Sequence, residues 1–127
     1  MTPKHQTKFS AGADLTANES VEIQPGETTL ISTGFKLSNC HEQSGMVYML
    51  FIRSSLSFKR GLSLTNGVGV IDADYKDEVK VMLTNHSKEP QCIVNGERIA
   101  QIVPMRYVDG FFEVEENLRS GGFGSTN

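Results

Sequence analysis

The sequence is poor in the features that mark several classes of protein. It has no tryptophan and only two cysteines, and its longest apolar run, Met46–Ile52, is no longer than a strand. This run is too short for a transmembrane helix, and the polar N-terminal residues lack the apolar segment of a signal peptide. Because Cys40 and Cys92 cannot build a disulfide framework, we expect a reduced cytoplasmic protein, with no membrane partner and with both thiols as packing groups.

An excess of positive charge is also lacking. The chain has 12 Lys and Arg residues against 15 Asp and Glu residues, which gives a net charge of −3. Such a balance provides no electrostatic footprint for a nucleic-acid duplex, so we expect no nucleic-acid partner. Any phosphate site must therefore be local, built from a few arginines and main-chain groups.

What the chain does contain is the pattern of short strands. Val79, Val81 and Leu83 alternate with other residues, which is typical of a half-buried strand. Met46–Ile52 predicts a buried strand, and residues 111–114 predict a last short one.

Two dipeptides predict tight turns between strands. Pro-Gly at 25–26 lies between strand patterns at 21–23 and 28–37, which indicates a hairpin or a corner. Asn-Gly at 95–96, between two further strand patterns, is the strongest short hairpin signal in the sequence.

The evidence for helix is confined to residues 53–60, a short stretch that Gly61 ends. Many short strands at close spacing predict an all-β fold, a jelly-roll-like barrel or sandwich, with a single domain over residues 1–127. After Glu115 the chain becomes polar and rich in glycine, so residues 117–127 are predicted to form a mobile C-terminal arm.

Two stretches carry most of the chemistry. Residues 66–80 read N-G-V-G-V-I-D-A-D-Y-K-D-E-V-K and place an amide, a carboxylate and an aromatic ring on a predicted tight hairpin. Residues 119–126 read R-S-G-G-F-G-S-T. The first stretch suits a nucleobase and its sugar, and the second suits closure over the base and phosphates. Plain disorder is the alternative for the tail, and the apolar ring of Phe123 argues against it.

Five blocks of the sequence occur in a characteristic order. They are residues 10–15 (S-A-G-A-D-L), 53–61 (R-S-S-L-S-F-K-R-G), 66–78, 96–101 (G-E-R-I-A-Q) and 119–126. Together they resemble the trimeric dUTP pyrophosphatases (dUTPases). The resemblance implies a homotrimer of jelly-roll subunits. Each active site would take the second and fourth blocks from one chain, the third block from a neighbour and the tail from the third chain.

The resemblance implies hydrolysis of dUTP to dUMP and pyrophosphate by in-line attack of a water on the α-phosphorus, assisted by Mg²⁺. Asp72 would act as the base, because the aspartate of the Ile-Asp pair orients the attacking water in this family. The alternative for Asp72 is a turn aspartate that satisfies local main-chain N–H groups. Tyr75 would pack on the deoxyribose and exclude a 2′-hydroxyl; the alternative is an ordinary strand tyrosine.

By the same resemblance, uracil would be bound by the Asn66 side chain and by the main chain of Gly69, Val70, Ile71 and Lys80. Cytosine presents the opposite hydrogen-bonding pattern at position 4 and would leave buried groups unpaired, at a cost of roughly 1–3 kcal/mol each. The alternative for Asn66 is an ordinary turn residue.

The phosphate contacts implied by the resemblance are Arg53, Ser54 and Ser55, with Gln101 on the α-phosphate or the water network. The alternative for Gln101 is a polar residue on the outer face of a strand. Asp14 would meet Mg²⁺ only through water, since the ion would sit on the three phosphates and keep its waters. The scattered histidines and cysteines lack the spacing of a zinc site.

In the tail, Phe123 would stack on uracil, and Arg119, Gly124, Ser125 and Thr126 would contact the substrate, with the arginine and the hydroxyls on the outer phosphates.

Some residues depart from the family pattern. Ile52 stands where proline is usual, and Asp77 replaces a common glycine. Only Ser120 separates Arg119 from the Gly-Gly pair, where the family has two residues, and this weakens the case for Arg119 as a γ-phosphate contact.

Two other functions fit part of the pattern. The dCTP deaminases share the fold and an R-S-S block, but deamination needs a glutamate at the place where alignment on Asp72 puts Met82. A nucleotide-responsive regulatory module would keep the nucleotide pocket and use residues 37–45 to contact a protein partner.

Overall fold

A computed structural model describes residues 3–37 and 45–115. Over these ranges the chain forms short strands and one short helix. In chain order the elements are β1 (Ala13–Thr16), β2 (Val21–Ile23), β3 (Thr28–Lys36), β4 (Met46–Ile52), α1 (Ser54–Arg60), β5 (Leu62–Leu64), β6 (Gly69–Asp72), β7 (Glu78–Asn85), β8 (Gln91–Ile93) and β9 (Arg98–Arg106).

The strands form three antiparallel sheets. One has the order β1-β9-β4-β6, the second has the order β3-β7-β5, and the third pairs β2 with β8. Neighbouring strands are never consecutive in the sequence, because the chain crosses from sheet to sheet instead of building hairpins. This arrangement confirms the predicted all-β, jelly-roll-like class. In the part of the chain described, no helix combines the length and the hydropathy that a bilayer crossing requires.

The sheets share one apolar core. In β7, the predicted alternation is confirmed, since Val79, Val81 and Leu83 are all buried. Burial of a large aliphatic side chain stabilises the fold by roughly 1.5–3 kcal/mol, so the apolar positions decide which face of each strand points inward. Fully buried side chains from the other strands include Leu15, Ile23, Ile31, Phe35, Leu62, Ile93 and Ile99.

The two predicted turns both carry the chain between sheets. Pro-Gly at 25–26 is a corner, because β2 and β3 on either side belong to different sheets. The hairpin predicted at 95–96 is wrong, since β8 pairs with β2 whereas β9 pairs with β1 and β4. Gly96 N donates instead to Ala17 O at 2.8 Å, outside any ladder between β8 and β9. Turn chemistry sets the local reversal, but it does not choose the strand partners.

Two further predicted strands and the predicted packing of the cysteines can be compared with the structure. Residues 111–114 form no strand, and their apolar side chains are 71–84% exposed, so the predicted strand is wrong. Met46–Ile52 is a strand, as predicted, but only Leu50 of its residues is buried within this chain. Cys92 is exposed and is not a packing group; Cys40 lies outside the described residues.

Candidate active site

Four polar side chains from distant parts of the sequence meet at one corner of the four-stranded sheet. Asp14 of β1 lies opposite Gln101 of β9, and Arg53 directly follows β4. Asp14 Oδ1 is 3.9 Å from Arg53 Nε, and Asp14 Oδ2 is 3.6 Å from Arg98 Nη1. The Asp14 side chain is 14% exposed, so the carboxylate is largely enclosed by its neighbours. We call Asp14, Arg53, Arg98 and Gln101 the arginine cluster.

The start of α1 lies beside this cluster. Arg53 is the N-cap residue, with the extended angles φ −73° and ψ 136°, and it makes no side-chain cap hydrogen bond. Ser54 and Ser55 form the first turn, where main-chain N–H groups have no partner inside a helix. As predicted, the helix ends at Gly61, whose φ of 66° is left-handed. The residues predicted to bind phosphate, Arg53, Ser54 and Ser55, thus lie together at the start of α1.

The far end of α1 is fixed by its last residue. Arg60 Nη1 donates to Glu97 Oε1 at 2.8 Å, and Arg60 Nε donates to Gln91 Oε1 at 3.2 Å. These bonds tie the helix to the first residue of β8 and to the turn between β8 and β9. The orientation of α1, and with it the direction of Arg53, is therefore set from both ends.

Gly12 leaves the space that the Gln101 side chain occupies. A Cβ atom at this position would lie 2.6 Å from Gln101 Oε1 and 3.1 Å from Gln101 Cβ. Since Gly12 has no positive φ, the backbone does not require glycine here. Sequence reasoning gave no individual role to Gly12 or to Arg98, although both lie inside quoted blocks. Only the folded chain shows what each one touches.

The second group of predicted site residues lies on a loop, residues 66–77, which we call the crossing loop. Its flanking strands β5 and β7 pair with each other, whereas β6 within the loop pairs with β4 of the other sheet. The tight hairpin predicted at 66–80 is therefore wrong. Gly67 has a φ of 75° and donates its N–H to Leu64 O at 2.8 Å, so this first turn requires glycine.

The crossing loop brings the predicted uracil-binding residues together. Thr65 N donates to Met82 O at 2.8 Å, and this register places the Asn66 end of the loop next to Lys80 of β7. β6, which holds Gly69–Asp72, is the outermost strand of its sheet. The far edge of β6 has no strand partner in residues 3–37 and 45–115, and main-chain groups at such an edge can pair with a ligand.

Asp72 and Tyr75 occupy the end of the crossing loop. Asp72 is exposed at the end of β6, and its carbonyl accepts a 3.0 Å bond from Tyr75 N. The Tyr75 ring packs against the core, and its hydroxyl donates to Glu78 O at 3.2 Å. The ring is thus held at a fixed angle close to Asp72.

The arginine cluster and Asp72 lie far apart in one chain. Asp72 pairs with Val47, whereas Gln101 pairs with Phe51, four residues further along β4. The rise and the spacing of strands therefore separate the Cα atoms of Asp72 and Gln101 by about 16 Å. One water cannot touch both groups across this gap.

Between these two groups lies an apolar surface. Val47, Met49 and Phe51 point to the face of β4 opposite the buried Leu50. Met49 pairs with Val70 on one side and with Val103 on the other. We call these side chains, with Met105, the apolar face. Val70 is 65% exposed and Met105 is 46% exposed, so part of this face is open to solvent in a single chain.

No group of three or more potential metal ligands occurs among the described residues. Asp14, the predicted metal contact, lies between two guanidinium groups instead of in a cage of carboxylates. This surrounding fits an indirect contact through water better than direct coordination. The predicted tail contacts, namely Arg119, Phe123, Gly124, Ser125 and Thr126, lie outside the described residues.

Comparison with known proteins identifies the family. A family model described as dUTPase matches residues 1–127. The chain belongs to the dUTPase family. A deoxyuridine 5′-triphosphate nucleotidohydrolase of Neisseria meningitidis serogroup B is 45% identical over 133 residues, which cover 99% of this chain and 87% of the relative. The family predicted from the five sequence blocks is therefore confirmed.

Solved structures of dUTPases have the same fold. The enzyme from Streptococcus mutans has a TM-score of 0.77 and 38% identity, and the match covers 84% of this chain and 85% of that one. The G164S mutant of the Staphylococcus bacteriophage 80alpha dUTPase, solved with dUpNHpp, has a TM-score of 0.76 and 25% identity, and the match covers 99% of this chain and 91% of that one.

Proposed function

We propose that this dUTPase-family chain hydrolyses dUTP to dUMP and pyrophosphate in a site shared between subunits of a homotrimer. Family membership over residues 1–127 supports the reaction. The separation of Asp72 from the arginine cluster carries the proposal of a shared site. Both groups are on the same side of one sheet, but strand geometry separates them by about 16 Å, and this gap supports the supply of one of them by a second chain.

The apolar face supports the same assembly. Rows of paired side chains cross the four-stranded sheet, with Asp14 and Gln101 at one corner, Asp72 at the opposite corner, and apolar residues such as Met49 between them. A second copy packed on this surface covers the exposed apolar atoms. It also brings its own Asp72 towards the first chain's arginine cluster. Closed cyclic symmetry repeats this contact three times.

In the proposed reaction, a water attacks the α-phosphorus in line with the bond to the leaving pyrophosphate. The new bond joins the water oxygen to the α-phosphorus, and the bond from the α-phosphorus to the bridging oxygen breaks. Asp72 accepts the proton of the water. Its position at the exposed end of β6 supports this role, because the carboxylate projects from a strand that ends at the sheet edge.

Selection of the base and the sugar belongs to the crossing loop. The Asn66 side chain and the outer edge of β6, with Lys80 nearby, bind the uracil edge by hydrogen bonds. Tyr75 lies against C2′ of the sugar and excludes a 2′-hydroxyl. The bond from Tyr75 to Glu78 O supports this role, because it fixes the ring plane before the substrate arrives.

The arginine cluster and the start of α1 bind the triphosphate. Arg53 supplies charge and directed N–H donors, Ser54 and Ser55 supply hydroxyl and main-chain donors, and Gln101 contacts the α-phosphate. Mg²⁺ on the phosphates offsets their negative charge when bound. Asp14 would contact that ion through water, and it also forms an ion pair with Arg53. The tail closes the site, with Phe123 on uracil, Gly124 against the substrate, and Arg119, Ser125 and Thr126 on the outer phosphates.

Release of pyrophosphate by the purified chain with Mg²⁺ tests the function. We expect rapid release from dUTP and little from dCTP, dTTP or UTP. Equal rates with dCTP, or formation of ammonia from dCTP, would contradict the proposal. Met82, at the position where a deaminase needs a carboxylate, gives no support to the second outcome.

A further inference from the structure

Within the arginine cluster, Arg98 is the one member with no individual role in the proposed reaction, yet the fold turns it towards Asp14. Strands normally point alternate side chains to opposite faces. In β9, however, Ile99 and Ala100 are both fully buried, and the pairing of β1 with β9 shifts register between Leu15 and Thr16. This is a β-bulge. Without it, Arg98 would lie on the same side as the buried Ala100.

The bulge therefore places Arg98 on the outer face, together with Asp14 and Gln101. Bulges often re-aim a side chain beside an active site. Here the result is an Arg98 guanidinium 3.6 Å from Asp14 Oδ2, while the other oxygen, Oδ1, is 3.9 Å from Arg53 Nε. The carboxylate thus lies between two cations and contacts each through a different oxygen atom.

We propose that Arg98 is a positioning residue for the phosphate-binding Arg53 and that it acts through Asp14. This inference rests on the proposed function. By occupying Oδ2, Arg98 prevents Asp14 from turning both oxygens to Arg53 in the bidentate geometry that guanidinium and carboxylate groups favour. Arg53 is then held by one oxygen and keeps donors for a phosphate. The three side chains together carry one net positive charge.

The main chain of Arg98 also contacts Arg53, independently of the Arg98 side chain. Arg53 Nη1 donates to Arg98 O at 3.4 Å. A substitution at position 98 leaves this carbonyl in place, so Arg53 keeps one of its anchors. The loss of the Arg98 side chain therefore changes only the partner of Asp14, and the expected effect is limited to that change.

The test measures binding of two nucleotides to variants of the full chain. One is dUpNHpp with Mg²⁺, which carries the triphosphate chain, and the other is dUMP, which keeps the base, the sugar and a single phosphate. For Arg98→Gln and Arg98→Met we expect roughly two- to fivefold weaker binding of dUpNHpp, as for a partly exposed ion pair. Binding of dUMP should stay near the wild-type value, and Arg98→Lys should restore part of the loss.

Two controls separate positioning from a general effect of charge. Arg106→Gln removes the same charge from the exposed end of β9, away from Asp14, and should leave both affinities unchanged. In an Asp14→Asn background, Arg98→Gln should have little further effect, because the residue through which Arg98 acts has lost its charge.

Several results would overturn the inference. An unchanged affinity for dUpNHpp in both Arg98→Gln and Arg98→Met would contradict it. An equal loss of affinity in Arg106→Gln would also contradict it. An equal fall in the presence and absence of Asp14 would mean that Arg98 acts directly on the phosphates. If the wild-type chain neither binds dUpNHpp nor hydrolyses dUTP, the proposed function fails along with the inference. An active wild type with silent Arg98 variants removes the inference alone.

Discussion

The arginine cluster and the crossing loop differ in how the chain builds them. The cluster takes Asp14, Arg53, Arg98 and Gln101 from three distant parts of the sequence and holds them by strand register and ion pairs. The crossing loop takes its residues from one continuous stretch, 66–77, and holds them by turn geometry and a single strand, β6. Long-range packing therefore places the proposed phosphate-binding residues, whereas local sequence places the residues proposed to bind the base and the sugar.

The two regions also differ in the chemical groups that they offer to a ligand. The cluster offers cations and hydrogen-bond donors, which suit phosphates, and ion pairs hold its charged groups in position. The crossing loop offers an exposed carboxylate, an exposed strand edge and a ring fixed against the core. Substitutions in the loop should change chemistry and selectivity, whereas substitutions around the cluster should change the alignment of the phosphates.

The largest effect is expected at Asp72. Asp72→Asn keeps the size of the side chain but removes the proposed proton acceptor, so turnover should fall by roughly 10²–10⁴-fold. Binding of dUpNHpp should change little, as measured by calorimetry. Asp74→Asn, two residues along the same loop, is the matched control and should retain most activity. Near-normal turnover in Asp72→Asn would remove Asp72 from the role of base.

A smaller effect is expected at Tyr75, and it concerns selectivity. Tyr75→Ala removes the ring that we propose excludes the 2′-hydroxyl, so the ratio of kcat/KM for dUTP over UTP should fall by roughly tenfold. Tyr75→Phe keeps the ring and loses the bond to Glu78 O, so it should keep most of the discrimination. If Tyr75→Ala leaves the ratio unchanged, the ring has a structural role only.

The smallest effect is expected at Gly12, in support of the cluster. The new Cβ of Gly12→Ala would overlap Gln101 Oε1 at 2.6 Å, and moving the amide off its rotamer should lower kcat by about two- to tenfold. Ala11→Ser adds an atom at the exposed neighbouring position and serves as the control. Equal kcat values for Gly12→Ala and the wild type would show that Gln101 does not need its present position.

Much of the fold can be predicted from the sequence, because periodicity is a local property. The alternation in β7, the limits of Met46–Ile52 and the end of α1 at Gly61 are all confirmed. Strand partners are not local, and the hairpin predicted at 95–96 fails for that reason. The strand predicted at 111–114 is wrong for a different reason. Its apolar pattern is typical of a strand, but the side chains are exposed and pack on no surface in the described part of the chain.

The candidate site also has a part that could be predicted from the sequence and a part that could not. The blocks predicted its residues, and the structure brings Asp14, Arg53 and Gln101 together as one group and collects Asn66, Asp72 and Tyr75 on one loop. The roles of these residues remain predictions. The positions of Gly12 and Arg98 could not be predicted, because one depends on a side chain 89 residues away in the sequence (Gln101) and the other depends on a bulge in β9.

The central claim is that one active site takes Arg53 and Asp72 from different chains, and subunit complementation tests it most directly. Arg53→Ala and Asp72→Asn chains with different tags are each assayed alone and after co-expression. If the site is shared, a randomly assembled population of trimers, homotrimers included, has about one quarter of its sites with both residues intact, and activity should return to about that level. If each site lies within one chain, every site in the mixture lacks one residue. Mixed trimers that are confirmed by both tags but as inactive as the single variants would contradict the claim.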